Sequence, residues 1–149
     1  MLRLRLTLLV CLLALAGLSA ELGSARTVLR PQDDEGLHVS RYARHFVGVP
    51  YRYGGASPRS GFDCSGFVAF VYLHFGVKLP HYTFSQFARG RRVARRRLEP
   101  GDLVFFDGLN HVGLYVGRGR FIHAPHTGAR VRVDRIRDGG RFAGARRIL

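Results

Sequence analysis

The pattern of apolar positions divides the chain into a helical part followed by a stranded part. Apolar residues recur at helical spacing between residues 37 and 47, and Gly48 and Pro50 end this pattern. A second apolar run, FVAFVYLHF, stops at Gly76 and is apolar on every side, which predicts a central buried helix. Its β-branched and aromatic residues would equally permit a strand. A capping box of Thr83 and Gln86 predicts a short helix that ends at Gly90.

After Leu98 the period of the pattern changes to that of strands. Short apolar or alternating segments are separated by turn sequences rich in glycine, proline and aspartate. The predicted strands are DLVFF, HVGLYV, RFIHA, ARVRV and the closing FAGARRIL. Helices followed by an antiparallel meander indicate an α+β fold, with helices packed on a sheet of five to six strands.

The N-terminal segment predicts export. Residues 1–20 combine Arg3 and Arg5 with an apolar run from Leu6 to Leu18 and small residues, the pattern of a secretory signal peptide. The run falls short of the about 20 residues that span a membrane, although an uncleaved anchor remains an alternative. We interpret residues 21–36 as a linker and residues 37–149 as one catalytic domain. Removing the signal peptide leaves Cys64 as the single cysteine, which excludes an intrachain disulfide.

The strongly basic composition suggests an anionic partner. The formal charge is +14, and +12 after the signal peptide is removed. For an exported monomer this favours cell-wall polymers or membrane head groups over nucleic acid. The densest cluster is RGRRVARRR at residues 89–97, which is either a polyanion patch or a solvated basic loop. No aromatic residue interleaves with its arginines, so the stacking contacts of a single-strand binder are missing.

The stretch GFDCSGF places Cys64 where a helix is predicted to begin. Ser60 and Asp63 form a capping pattern, and either residue as the N-cap puts Cys64 in the first helical turn. Backbone N–H groups and the helix dipole at this position favour a thiolate, which indicates a nucleophile with a lowered pKa. We expect the carboxylate of Asp63 to point away from the sulfur. A buried core cysteine and a metal ligand remain the alternatives.

Two histidines are placed to serve a nucleophilic cysteine. His111 and His123 flank the turn GRG, and a hairpin centred on residue 117 would pair them on one face of a sheet. One cysteine and two histidines could also hold Zn²⁺, but no CxxC or HxxxH spacing supports this, and we expect no metal and no cofactor. Surface or core roles are predicted for the histidines of the helical part, His38, His45, His74 and His81.

Five segments together resemble the NlpC/P60 cysteine peptidases of bacterial cell walls. They are PYRYGG, GFDCSGFVAFVY, LEPGDLVFF, HVGLYVGRGRFIHAP and the closing ARRIL. The resemblance implies a papain-like core in which the cysteine opens a helix packed on an antiparallel sheet. It implies Cys64 as the nucleophile, His111 as the base, and His123 as the residue that orients the base. A neutral histidine in this third position gives less charge stabilisation than a carboxylate would.

The same resemblance implies the substrate contacts and the reaction. Tyr51 would lie beside the nucleophile near the oxyanion, while Asp63 and Ser65 would hold the free amino end of the substrate. The implied function is an exported, periplasmic or envelope cysteine endopeptidase that cuts peptidoglycan stem peptides at a γ-D-glutamyl-diaminopimelate bond. Cleavage of D-Ala-diaminopimelate cross-links, acyl transfer, and a non-catalytic cationic or zinc-binding module remain alternatives. Family members commonly carry Pro-Arg where this chain has Pro80-His81, so specificity is open at that position.

Overall fold

A computed structural model of the protein describes residues 31–149, with side chains from Glu35 onward. The predicted signal peptide at residues 1–20 and most of the predicted linker lie outside these described residues. Within the described part, no helix has the length and apolar character needed to cross a membrane.

Three helices lie in the first part of the described chain. They are α1 (Pro31–Arg44), α2 (Cys64–His74) and α3 (Thr83–Phe87). α1 begins inside the segment predicted as a linker, because proline fits the first turn of a helix, where its missing N–H would have no partner. It ends three residues before the predicted boundary at residue 47, and His45 continues as a tighter turn that donates to the carbonyl of Tyr42 at 3.1 Å.

The strands form one large antiparallel sheet and one small hairpin. The strands are β1 (Ala56–Ser57), β2 (Gly61–Phe62), β3 (Arg91–Arg92), β4 (Leu103–Phe106), β5 (His111–Gly117), β6 (Arg120–His123), β7 (Arg132–Arg135) and β8 (Phe142–Arg147). β1 pairs with β2, and the other six form a sheet in the order β3-β8-β4-β5-β6-β7. The predicted α+β fold is confirmed, and the run after residue 63 is a helix.

Two strand predictions need correction. The strand predicted at residues 129–133 begins only at Arg132, because residues 129–131 bond instead to the chain at residues 48–51. The N–H of Tyr51 donates to the carbonyl of Ala129 at 2.9 Å, which anchors the loop that carries Tyr51. Part of the arginine cluster is also a strand, since β3 pairs with β8 at the edge of the sheet.

The predicted capping box at the start of α3 is wrong. Tyr82 is the N-cap and makes no side-chain capping bond. Gln86 is fully buried, and its amide donates to the carbonyls of Ser65 at 2.9 Å and Pro80 at 2.8 Å. The side chain of Gln86 therefore fastens α3 to the beginning of α2 and is not free to cap its own helix.

The sheet carries an apolar core on each face. The larger core includes Phe67 and Val71 of α2 together with Phe105 and Val112 of the sheet. A smaller core on the other face contains Val104, Phe106 and Phe121. Burial of these side chains fixes α2 against the middle strands. The start of α2 lies beside the start of β5, where the backbone N–H of Val112 faces the sulfur of Cys64.

Candidate active site

Asp63 fixes the start of α2. Its backbone is extended (φ −89°), and its Oδ1 accepts the N–H of Gly66 at 2.7 Å, so Asp63 rather than Ser60 is the N-cap. Its Oδ2 accepts the N–H of Gly54 at 3.0 Å. The hydroxyl of Ser60 instead contacts that of Ser57 at 2.7 Å. The cap makes Cys64 the first residue of the helix, as the capping pattern predicts.

Cys64 is half-buried, and its thiol is held in the protonated form. Burial raises the pKa of the thiol, and the charge of Asp63 raises it further. The backbone N–H groups of Val112, Ser65 and Cys64 face the sulfur and oppose this rise in pKa. The expectation of a lowered pKa is therefore wrong, because desolvation outweighs the helix start.

His111 and His123 lie on one face of the sheet, and their rings touch. Nε2 of His111 is 2.6 Å from Nδ1 of His123, and the ring planes are inclined at 71°. This confirms the predicted shared face. The predicted register is wrong, because Leu114 lies opposite Ile122, which centres the hairpin on residue 118. His111 and His123 are therefore diagonal rather than direct neighbours. Moving the centre by one residue moves the pairing by two residues, which keeps both side chains on the same face.

Gly113 makes this diagonal contact possible. A Cβ at residue 113 would lie 2.6 Å from the ring of Phe121 and 3.0 Å from the Cβ of His123. Both distances are shorter than ordinary packing permits. The absence of a side chain therefore lets the ring of His123 lean across β5 toward His111.

Asp134 on β7 extends the pair of histidines into a chain of hydrogen bonds. Its Oδ2 lies 3.0 Å from Nε2 of His123 and 2.9 Å from Nε of Arg132. The sequence analysis did not identify Asp134, since its place depends on the register in which Phe121 lies opposite Asp134. The one available signal was an acid within the basic strand sequence RVRVDR.

The donors and acceptors in the hydrogen bonds that link His111, His123 and Asp134 fix the proton positions. Burial raises the pKa of Asp134, but hydrogen bonds from Arg132 and His123 outweigh this and lower it overall, so the carboxylate is ionised and only accepts. Nε2 of His123 must therefore carry a proton. A neutral His123 then accepts at Nδ1, and Nε2 of His111 donates to it. This leaves Nδ1 of His111 with a lone pair, as a base requires.

Both histidines are neutral at physiological pH. Burial and then the neighbouring His123 lower the pKa of His111 to about 4, although Asp107 and Asp134 act in the opposite direction. Burial also lowers the pKa of His123, against the hydrogen bond to Asp134. His123 is 4% exposed, so water does not compete for its ring nitrogens. The resting site therefore combines a neutral thiol with a neutral imidazole.

The residues implied as substrate contacts lie around the start of α2. Asp63 also meets His81, whose Nε2 is 2.6 Å from Oδ1, and the hydroxyl of Ser65 is 3.4 Å from the same oxygen. Tyr51 is half-buried, and burial followed by the charges of Cys64 and Asp63 raises its pKa. Sequence analysis did not foresee the contact between His81 and Asp63.

The described residues contain no group of three or more histidine, cysteine or acidic side chains arranged to hold a metal ion. The three nitrogens and one oxygen that join His111, His123 and Asp134 point at one another in pairs rather than at a common centre. This geometry suits proton transfer along a line.

Comparisons with known proteins place the chain in a family. The family model described as NlpC/P60 family matches residues 48–143. The chain is 39% identical over 112 residues to the Gamma-DL-glutamyl hydrolase of Bacillus subtilis, covering 71% of this chain and 27% of that protein. It is 38% identical over 117 residues to the Peptidoglycan endopeptidase RipA of Mycobacterium tuberculosis, covering 69% and 25%. The chain thus spans about a quarter of the length of these curated relatives.

A solved structure shares the fold. The NlpC/p60 domain of the peptidoglycan hydrolase SagA superposes with a TM-score of 0.71 at 33% identity, covering 76% of this chain and 98% of that one. The resemblance predicted from the motifs is therefore confirmed, and the chain belongs to the NlpC/P60 family.

Proposed function

We propose that this protein is an exported cysteine endopeptidase that hydrolyses peptidoglycan stem peptides, with Cys64, His111 and His123 as its catalytic triad. The observation that carries the proposal is the hydrogen-bonded chain behind His111, next to a cysteine at a helix start. The relatives named as a Gamma-DL-glutamyl hydrolase and a Peptidoglycan endopeptidase support this substrate class. The favoured bond is γ-D-glutamyl-diaminopimelate.

The reaction begins with proton transfer from the thiol. Nδ1 of His111 takes the proton as the sulfur of Cys64 attacks the carbonyl carbon, since neither group is charged at rest. The position of the sulfur beside Val112, the residue after His111, supports this pairing. The backbone N–H of Cys64 stabilises the oxyanion. His111 then returns the proton to the leaving amine, and water hydrolyses the acyl-enzyme.

Asp134 acts as a positioning residue behind the triad. When His111 becomes an imidazolium, its Nε2–H donates to His123, which in turn donates to the Asp134 carboxylate. The negative charge of Asp134 raises the pKa of His111 and so favours the charged state. Asp134 supplies the charge that a neutral histidine in the third position lacks, and Arg132 holds Asp134 in place.

The rim of the site gives a basis for recognising a free amino group. Two backbone N–H groups, from Gly54 and Gly66, and the ring of His81 already bond the carboxylate of Asp63. Oδ2 makes one of these bonds and retains capacity for a substrate ammonium. Ser65 contributes its hydroxyl beside the same carboxylate, and Tyr51 lies close enough to Cys64 and Asp63 to feel their charges.

A relative whose name gives a different specificity supports a second candidate for the peptide bond that is cleaved. The chain is 39% identical over 115 residues to the Murein DD-endopeptidase MepH of Escherichia coli, covering 69% of this chain and 42% of that protein. Cleavage of D-Ala-diaminopimelate cross-links is therefore the alternative. Transfer of the acyl group to an amine instead of water would use the same residues.

Digestion of muropeptides tests the proposal. Wild-type protein and Cys64→Ala are incubated with uncross-linked and cross-linked muropeptides, and the products are identified by mass spectrometry. We expect wild type to release fragments cut after the γ-linked D-glutamate, and the variant to release none. Fragments from the Cys64→Ala variant would refute the assignment of the nucleophile. Cross-links cut with stem peptides intact would replace the favoured bond by the alternative.

A further inference from the structure

A cavity lined by arginines lies at the end of the sheet that is remote from His111. Its volume is about 480 Å³, and its lining includes Arg95, Arg118, Arg120, Arg135 and Arg137. β5 begins at His111 and runs to Gly117 next to this cavity. At about 3.4 Å per residue, the cavity is roughly 20 Å from the catalytic base. The cavity is thus a feature separate from the catalytic site.

Two of these arginines face each other across neighbouring strands. Arg120 and Arg135 are direct partners in the antiparallel pair of β6 and β7. Like charges directly opposite each other destabilise a sheet. Among the described residues neither side chain forms an ion pair, and the acids next in sequence to the cavity lining already have arginine partners: Glu99 with Arg147, Asp134 with Arg132 and Asp138 with Arg137. An anion bound between Arg120 and Arg135 would remove the repulsion.

The backbone that carries these arginines is firmly held. The N–H of Gly119 donates to the hydroxyl of Tyr115 at 3.0 Å, and the N–H of Ile136 donates to the carbonyl of Gly119 at 2.9 Å. These bonds tie the turn after β5 to the segment after β7. On the other wall, the guanidinium of Arg95 lies 5.3 Å from the centre of the Phe142 ring. The charges are therefore presented by a preorganised frame.

The neighbouring surface extends the positive charge. A second cavity, of about 1160 Å³, shares Leu98 with the first and is lined by Arg91, Arg92, Arg96 and Arg97. The basic segment at residues 89–97 thus contributes arginines to the lining of both cavities. This arrangement fits a linear ligand with repeated charges better than a single small ion. Guanidinium groups bind phosphate oxygens in a bidentate manner, as they do carboxylate oxygens, so repeated phosphate groups fit this surface.

The surroundings of the cavity favour a soluble polymer over a membrane. The exposed large apolar side chains of the described residues are Val47, Tyr53, Leu73, Tyr82 and Phe84, and none of them lines either cavity. A membrane-binding surface would place such side chains beside the basic ones.

We propose that this arginine-lined cavity binds the phosphate groups of a linear phosphodiester polymer, with Arg120 and Arg135 at its centre. Such binding would retain the enzyme at an anionic cell wall. Only this cellular location of the binding partner rests on the proposed function. Binding itself needs none of the catalytic residues.

Calorimetric titration with a glycerol-phosphate hexamer tests the site directly. Arg120→Gln/Arg135→Gln is compared with Arg41→Gln/Arg44→Gln, which removes the same charge from exposed arginines of α1 that form no ion pair with another described side chain. We expect the first variant to weaken binding at least about tenfold, since two charge-assisted contacts are lost. The second should stay within about twofold of wild type, as expected for a distant exposed charge. Equal losses in both variants would show diffuse attraction and overturn the proposal.

Further measurements distinguish a polymer from other phosphate ligands and show whether the variants fold. The proposal of a polymeric ligand would be overturned if inorganic phosphate bound as tightly as the hexamer. It would also be overturned if phosphatidylglycerol vesicles displaced the hexamer from the protein. The Arg120→Lys/Arg135→Lys variant keeps the charges but loses the planar forks, and its affinity should fall between wild type and the glutamine variant. The Arg120→Gln/Arg135→Gln variant should unfold at or above the wild-type temperature, because it removes a repulsive pair, and the lysine variant, which keeps both charges, should unfold close to the wild-type temperature. Both should cleave a small muropeptide at the wild-type rate, so that failure of binding and failure of catalysis are observed independently.

Discussion

The two halves of the site hold their reactive atoms in different ways. The start of α2 holds Cys64 through the backbone, and the cap that fixes it, from Asp63 to Gly66, lies within one helical turn. The hairpin half holds His111 through side chains on three strands, from His123 to Asp134. The proposed nucleophile therefore depends on local chain geometry, whereas the proposed base depends on the register of β5, β6 and β7. Changes far along the chain should disturb the base far more than the nucleophile.

The largest expected difference between the halves is in their response to acid. The pKa of His111 in the folded protein is about 4, below the usual 6.5. Stability from its neutral form is complete above pH 6.5 and is lost as the pH falls from 6.5 towards 4. We expect a loss of up to roughly 3 kcal/mol from this group. Urea unfolding at pH 7.5 and 4.5 measures it.

The matched variant for this experiment is His111→Gln. Its stability should depend less on pH across the same interval, because the titrating ring is gone. If His111→Gln lost as much unfolding free energy as the wild type between pH 7.5 and 4.5, the lowered pKa of His111 would be contradicted.

The second prediction concerns the crossing point of the hairpin. Gly113→Ala places a Cβ against Phe121 and His123, which must move. A displacement of about 1 Å at the base costs about 100-fold in kcat/KM. Steady-state kinetics on a muropeptide measures this. Gly76→Ala, whose Cβ would meet nothing within 4 Å but whose φ of +76° strains an alanine, is the control for a destabilising substitution remote from His111. Equal activity of the Gly113→Ala and wild-type proteins would show that the diagonal contact is unimportant.

The third prediction separates the charge of Asp134 from its hydrogen bond. Asp134→Leu removes both and should lower kcat by about tenfold or more, the loss expected for one charge-assisted bond. Asp134→Asn keeps an oxygen acceptor for His123 and should lose less. Both variants remove the negative charge, so the acid limb of the kcat/KM profile should move to lower pH. A purely structural role for Asp134 would lower the rate without moving that limb.

The smallest expected effect tests the helix half. Asp63→Ala removes the cap and should cost about 1 kcal/mol of stability, whereas Ser60→Ala should cost only a few tenths. Thermal unfolding of the two variants measures the difference. Equal destabilisation would mean that Ser60 shares in the cap, contrary to its contact with Ser57.

The sequence was most informative where the structure is local. The S-x-x-D pattern of Ser60 and Asp63 placed Cys64 at a helix start, because capping involves residues only three apart. The shared face of His111 and His123 also followed from the sequence, even though the predicted hairpin centre was one residue off. Side chains alternate with a period of two, so this error preserved the face.

Features that depend on tertiary structure were missed. Asp134 comes to His123 through the register of β6 with β7, and the loop between those strands bonds to residues 48–51 instead of extending β7. The pKa of Cys64 was predicted in the wrong direction, because its burial depends on the packing of α2 against the sheet. The contact between His81 and Asp63 likewise joins residues 18 apart in sequence.

Nitrogen NMR of the histidine rings tests the central claim most directly. Long-range ¹H–¹⁵N spectra of uniformly labelled protein at pH 7 report which ring nitrogen of each histidine carries the proton. We expect His111 and His123 to be both neutral, with the proton on Nε2 and a lone pair on Nδ1. In Asp134→Leu this pattern should give way to mixed tautomers. A protonated His111, or a proton on its Nδ1 in the wild type at pH 7, would contradict the proposed role of His111 as a neutral base.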